Sequence, residues 1–118
     1  MDDDDIYAER STIEEMMWDE DPLPRLIEAL TDENRWLRYY AAQYLGTRDI
    51  SAAPALIKAL KEEPWALVRL AVAEALGKIG VASPSPEIRD ALTISQARDV
   101  SGVVREFASN ALRGMHGA

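Results

Sequence analysis

The sequence predicts an all-α fold: a short solenoid of about three stacked helical hairpins behind an N-terminal capping helix. The main reason is internal repetition. Pro24-Arg-Leu-Ile-Glu-Ala-Leu30 is echoed 30 residues on by Pro54-Ala-Leu-Ile-Lys-Ala-Leu60, and Leu37-Arg38…Leu45-Gly46 is echoed 31 residues on by Val68-Arg69…Leu76-Gly77. Self-similarity at such a period marks units that bury their apolar faces by stacking on neighbours. Within each copy the apolar residues recur at i, i+3 and i+4, which is helical spacing.

The elements follow in order. Ser11-Thr-Ile-Glu14 has the form of a capping box, and Ile13, Met16 and Met17 give one apolar face to a short helix near 11–18. Ile6 and Tyr7 could extend it backwards. A solenoid leaves the flank of its first unit bare, so this helix reads as a cap. Each unit is then a helix A, a tight turn and a helix B. Helix A1 starts at Asp21-Pro22, where proline suits a first turn, and buries Leu23, Leu26, Ile27 and Leu30. Helix B1 runs from about Glu33 to Leu45, with Leu37, Ala41, Tyr44 and Leu45 inward and Gly46 as the residue past its end. A2 covers about Ala53 to Lys61, and B2 about Trp65 to Leu76 or slightly beyond, with Gly77-Lys-Ile-Gly80 as its ending.

The third unit matches at offsets of 32 (Pro86 on Pro54) and 36 (Val104-Arg105 on Val68-Arg69). Four extra residues therefore fall between Leu92 and Arg105, and either helix A3 is longer or its turn becomes a loop. The expected organisation is an acidic tail and capping helix over 1–21 and a repeat domain over 22–118. Its units lie at about 22–47, 51–80 and 84–114.

Charge divides the same way. The net charge is −8, yet residues 1–21 hold ten acids against Arg10 alone, and the remaining 97 carry 11 acids and 12 bases. Asp2 to Asp5 reads as a solvated tail, without the Asp/Asn spacing and turn glycine of a calcium loop. The chain has no cysteine, no apolar run near the ~20 residues that span a bilayer, and no basic segment leading into an apolar one. A cytoplasmic protein without membrane association is the expectation.

One finer match runs through all three units. An acid stands six residues before each repeated arginine: Asp32 and Arg38, Glu63 and Arg69, Asp99 and Arg105. At the start of a B helix the acid can cap free amides, and the arginine can reach the turn of its own or the adjacent unit. A structural Asp/Glu–Arg ladder along the turns is the prediction.

The segments 26–32 (Leu-Ile-Glu-Ala-Leu-Thr-Asp), 37–46 (Leu-Arg-Tyr-Tyr-Ala-Ala-Gln-Tyr-Leu-Gly) and 68–80 (Val-Arg-Leu-Ala-Val-Ala-Glu-Ala-Leu-Gly-Lys-Ile-Gly) resemble the HEAT-repeat superfamily in its short bacterial and archaeal, phycobilisome-lyase-like form. The resemblance covers roughly 22–114. It implies a right-handed α-α superhelix with the B helices lining the concave side. Tyr44, where alanine is usual, and the longer third unit depart from the pattern.

No catalytic residues, metal ligands or cofactor are expected. His116 is the only histidine, so neither a Ser-His-Asp arrangement nor a histidine metal cluster can be assembled, and the His-Glu iron pairs of some HEAT-repeat enzymes have no counterpart. The candidate site is instead the outer face of the B helices. Trp36, Tyr39, Tyr40 and Gln43 on B1 correspond to Leu67, Leu70, Ala71 and Glu74 on B2, and to Val103, Glu106, Phe107 and Asn110 on B3. Such a stripe suits recognition of another protein or a second copy of the chain; burial of the same residues within so small a solenoid is the open alternative. Trp18 and Trp65 read as packing near turns. Arg35, Arg38, Arg69 and Arg105 lie on B helices, but acids cancel the 12 bases of the repeat body, so nucleic acid is disfavoured. The resemblance also allows a phycobilin lyase-like accessory role. The acidic segment could serve as a flap over the groove.

Overall fold

The computed structural model describes residues 6–48 and 50–116. The Asp2–Asp5 run lies outside them. Seven α-helices and no strand occur among the described residues: α1 (Ile6–Met16), α2 (Leu23–Ala29), α3 (Arg35–Leu45), α4 (Ala53–Glu62), α5 (Ala66–Ala82), α6 (Pro86–Arg98) and α7 (Gly102–His116). A 3-10 turn, Ile50–Ala52, leads into α4. The pairs α2/α3, α4/α5 and α6/α7 pack as hairpins, while α3, α5 and α7 pack side by side in one layer. The thinnest dimension is 19 Å, about two helix diameters.

Local chemistry sets several boundaries. Asn34 is the N-cap of α3, its Oδ1 accepting from the amides of Trp36 (2.8 Å) and Leu37 (3.2 Å). Ser85 caps α6 by accepting from the Ile88 amide, with Pro86 in the first turn. At the third unit the extra residues lengthen the helix. α6 has 13 residues against 10 in α4, and three residues still separate A from B in both units (63–65 and 99–101).

α5 is the hub, in contact with α3, α4, α6 and α7. It is apolar nearly all round, with Val68, Ala71, Val72, Ala73, Ala75, Leu76 and Ile79 buried. Leu45 on α3, Leu56 on α4, and Ile88 and Leu92 on α6 join its residues in one core cluster, all fully buried. Ile13 and Met16 of α1 are buried too, and α1 packs mainly on α3.

Three sequence expectations need correction. Ser11 does not start a helix, because α1 begins at Ile6 and Ser11 lies inside it. α5 does not end at Gly77 to Gly80; it continues to Ala82. Those glycines serve close approach: a Cβ on Gly77 would lie 2.7 Å from the Ala111 Cβ, and one on Gly80 would lie 2.8 Å from the Met115 Sδ. Gly46 does close α3, but with a right-handed φ of −64°, and a Cβ there would meet Ala75 at 3.1 Å. The repeated glycine is a contact surface for the next B helix.

Candidate functional site

The B-helix face is built on the first turns of α3 and α5. Trp36, Tyr39 and Tyr40 fall at i, i+3 and i+4 on α3, and all are half-buried. Trp36 meets Tyr39 edge-on at 5.9 Å between ring centroids, and Tyr39 meets Tyr40 at 5.1 Å. Trp65, at the start of α5, closes the group, its ring edge-on to Trp36 at 5.1 Å. The Arg35 guanidinium lies 4.5 Å from the centre of the Trp65 ring, a cation–π arrangement. Gln43 donates to the Tyr39 hydroxyl at 3.0 Å. Burial first, then the neighbouring Tyr40 and the Glu74 carboxylate, raise the Tyr39 phenol above its ordinary 10.0. Tyr39 is thus a neutral donor on a face rimmed by one acid.

The rest of the expected stripe is less continuous. Leu67 and Leu70 are half-buried, Glu74 is exposed, and Ala71 belongs to the core. Phe107 is half-buried and lines a separate depression of about 310 Å³ between α5 and α7, with Glu74, Lys78, Val81 and Asn110. On the opposite layer, Ile50, Pro54, Ile57 and Ile94 line a mostly apolar groove of about 520 Å³ between α4 and α6. The sequence reading did not nominate that groove.

The turns carry the charged groups. Arg38 holds the Glu63 carboxylate through Nε (2.9 Å) and Nη2 (3.0 Å), while its Nη1 donates to the carbonyls of Asp32 (2.8 Å) and Glu33 (3.2 Å). Arg69 repeats the pattern one unit on. Nε and Nη2 hold Asp99 at 2.8 and 3.1 Å, and Nη1 donates to the carbonyls of Glu63 and Pro64. Each arginine therefore takes the backbone of its own turn and the carboxylate of the next. Each acid also accepts from the amide two residues on: Asp32 from Asn34, Glu63 from Trp65 and Asp99 from Ser101. Burial pushes the Asp99 carboxyl up, but the Arg69 bond, the Ser101 amide and the charges of Arg69 and Arg105 together hold it below 3.8. Arg105 donates from Nη1 to the Asp99 carbonyl at 2.6 Å and stands last in the series.

A family model of HEAT repeats matches residues 23–113. The chain belongs to the HEAT repeat family. Comparison with curated protein sequences finds no match. The HEAT match spans the ladder and the aromatic face together, and it leaves out the acidic stretch up to Asp21. HEAT repeats are generally interaction scaffolds, and their recurrent residues are those that pack one unit on the next.

Within the HEAT stack, Tyr44 explains itself by position. Its counterparts Ala75 and Ala111 each touch the glycine of the preceding B helix, Gly46 and Gly77. Unit one is preceded by α1 instead, and the Tyr44 hydroxyl lies 3.2 Å from the Glu14 carboxylate, to which it donates. One tryptophan departs from the packing reading: Trp18 is 88% exposed in the turn after α1. Trp65 packs near a turn as expected, half-buried against the core and edge-on to Trp36. The bond from Arg38 of α3 to Glu63 holds the turn 63–65 near the start of α3, where Trp36 stands. Among the described residues no helix is long and apolar enough to cross a membrane.

Proposed function

We propose that the chain is a non-catalytic protein-interaction module that binds another protein through its B-helix face. Trp36, Tyr39, Tyr40 and Trp65 form the anchor. The observation that carries this reading is the mutual contact of four aromatic rings left half-exposed on one face. Rigid aromatic surface costs little conformational entropy on binding, and Trp, Tyr and Arg dominate interface energetics. Leu67 and Leu70 extend the apolar area along α5, and Gln43 and Glu74 supply polar rim contacts. Phe107 marks a second contact point on α7. The ladder residues act one level below: they set the spacing of the B helices that carry these side chains.

The test is affinity capture from source-organism lysate with the wild type and Trp36→Ala/Tyr40→Ala side by side, with circular dichroism matched for the two. A partner retained by the wild type and lost by the variant supports the assignment. Identical partners on both would assign the rings to internal packing and refute it.

A further inference from the structure

We propose that Arg105 is a carboxylate-binding site whose ligand is the exposed acidic turn 18–21 of a second copy of this chain. The site is defined by comparison with its two internal equivalents. Arg38 and Arg69 use Nη1 for backbone carbonyls and the Nε/Nη2 edge for a carboxylate of the following unit. Arg105 keeps the first of these Nη1 bonds, to the Asp99 carbonyl, where Arg38 and Arg69 each make two. Among the described residues no carboxylate bonds to its Nε/Nη2 edge. A planar fork already fixed by one bond is suited to bidentate carboxylate recognition.

The flank around it is more polar than the faces α3 and α5 turn to their neighbours. Where α3 and α5 present Ala42 and Gly46, or Ala73 and Gly77, to the next helix, the corresponding positions on α7 are Ser109 and Arg113. Both are tied into a polar surface: Gln96 donates to the Ser109 hydroxyl, and Arg113 donates to Ser109 and Asn110. Polar outer faces are how repeat arrays end. Such a flank can take a loop. Val100, 90% exposed, precedes α7, and Val103, 52% exposed, lies in its first turn.

The turn after α1 has the matching chemistry. Trp18 is 88% exposed and Glu20 is exposed, within a segment of ten acids and one arginine. Arg25 holds Asp19 at 3.0 Å, and the Asp21 carboxylate accepts from the Leu23 amide at 3.4 Å. The turn is thereby fixed to α2, in the first unit, while Arg105 is in the third. A second copy supplies what the same copy cannot: its Glu20 fills the fork. This contact is independent of the aromatic face.

The test is sedimentation velocity of the full chain over a concentration series, with Glu20→Arg, Arg105→Glu and an equimolar mixture of the two. Both residues are exposed, so circular dichroism should be unchanged. The wild type should associate weakly and reversibly, and raising the salt should loosen it. Each variant alone sets like charges together and should weaken association about tenfold, equivalent to about 1.4 kcal/mol. In the mixture, the arginine introduced by one variant meets the carboxylate introduced by the other, and the native Glu20 and Arg105 of the two variants can still pair. The mixture should therefore return to wild-type affinity. A wild type that stays monomeric to about 1 mM overturns the proposal. So do single variants that associate as the wild type does, or a mixture that fails to recover.

Discussion

The internal junctions of this stack and its two ends are built from the same sequence positions with opposite residue choices. At the junctions α3/α5 and α5/α7 a B helix shows its neighbour an arginine, an alanine and a glycine: Arg38, Ala42, Gly46, and then Arg69, Ala73, Gly77. The arginine is bonded across the junction and the small residues let the backbones close. At the C-terminal end the triplet is Arg105, Ser109, Arg113, and at the N-terminal end tyrosine replaces alanine at 44. Repeat identity therefore does not require identical residues. A position is small where another B helix packs against it and large or polar where none does.

The largest expected effect comes from cutting a rung. Arg69 and Asp99 have side chains only 11% and 8% exposed, and the same arginine caps two carbonyls. Removing one partner of a buried pair strands the other, at about 3–5 kcal/mol. Arg69→Ala should lower stability by about that much in chemical denaturation. Arg105→Ala, at the exposed end of the same ladder, should change it by less than about 0.5 kcal/mol. Equal losses would mean that the ladder's cross-junction bonds add nothing.

Glycine substitution should separate the regions by sign. Gly77→Ala improves helix propensity by about 1 kcal/mol, but its Cβ would sit 2.7 Å from Ala111, which cannot swing aside. Overpacking of this kind costs about 1–3 kcal/mol, so the net change should be destabilising. Gly114→Ala, near the end of α7, would meet only Val81 at 3.8 Å and should stabilise by about 0.5 kcal/mol. A stabilised Gly77→Ala would show that the junction has slack.

The acid side of the stability curve offers a third comparison. Asp99 is held below its ordinary value, so its contribution is complete above that value and is lost as pH falls through the lowered one. The wild type should lose this increment below about pH 4. Asp99→Asn lacks it at all pH values, so the stability gap between the two proteins should be widest near neutrality and narrow in acid. A gap independent of pH would place the stabilisation in packing instead of charge.

These contrasts also separate what the sequence could disclose from what it could not. Helices, hairpin order and ladder positions were legible because they are periodic: the offsets of 30 to 36 residues and the acid–arginine spacing of six need no coordinates. The partner chosen by each arginine was not, since its own turn and the next are both within reach. Only the fold shows that the backbone of one and the carboxylate of the other are taken together. Gly77 misled for a related reason. Glycine near the end of an apolar helix signals either termination or close approach, and what decides is Ala111, 34 residues away. Trp65 and Trp18 show the same limit at the candidate site, because a turn's position relative to neighbouring helices sets whether its tryptophan joins a cluster or faces solvent.

The smallest effect tests the N-terminal end. If Tyr44 occupies the place of an alanine because α1 stands where a glycine-bearing helix would otherwise be, its ring matters more than its hydroxyl. The bond to Glu14 is exposed and 3.2 Å long, and Glu14 also faces Arg10 at 3.5 Å. Tyr44→Phe should therefore cost less than about 0.5 kcal/mol. Tyr44→Ala, which leaves the α1–α3 contact without its half-buried ring, should cost about 2 kcal/mol or more. It should also raise hydrogen exchange in α1 ahead of the rest of the chain. A Tyr44→Ala variant with α1 still fully protected would mean that Ile13 and Met16 alone hold the cap.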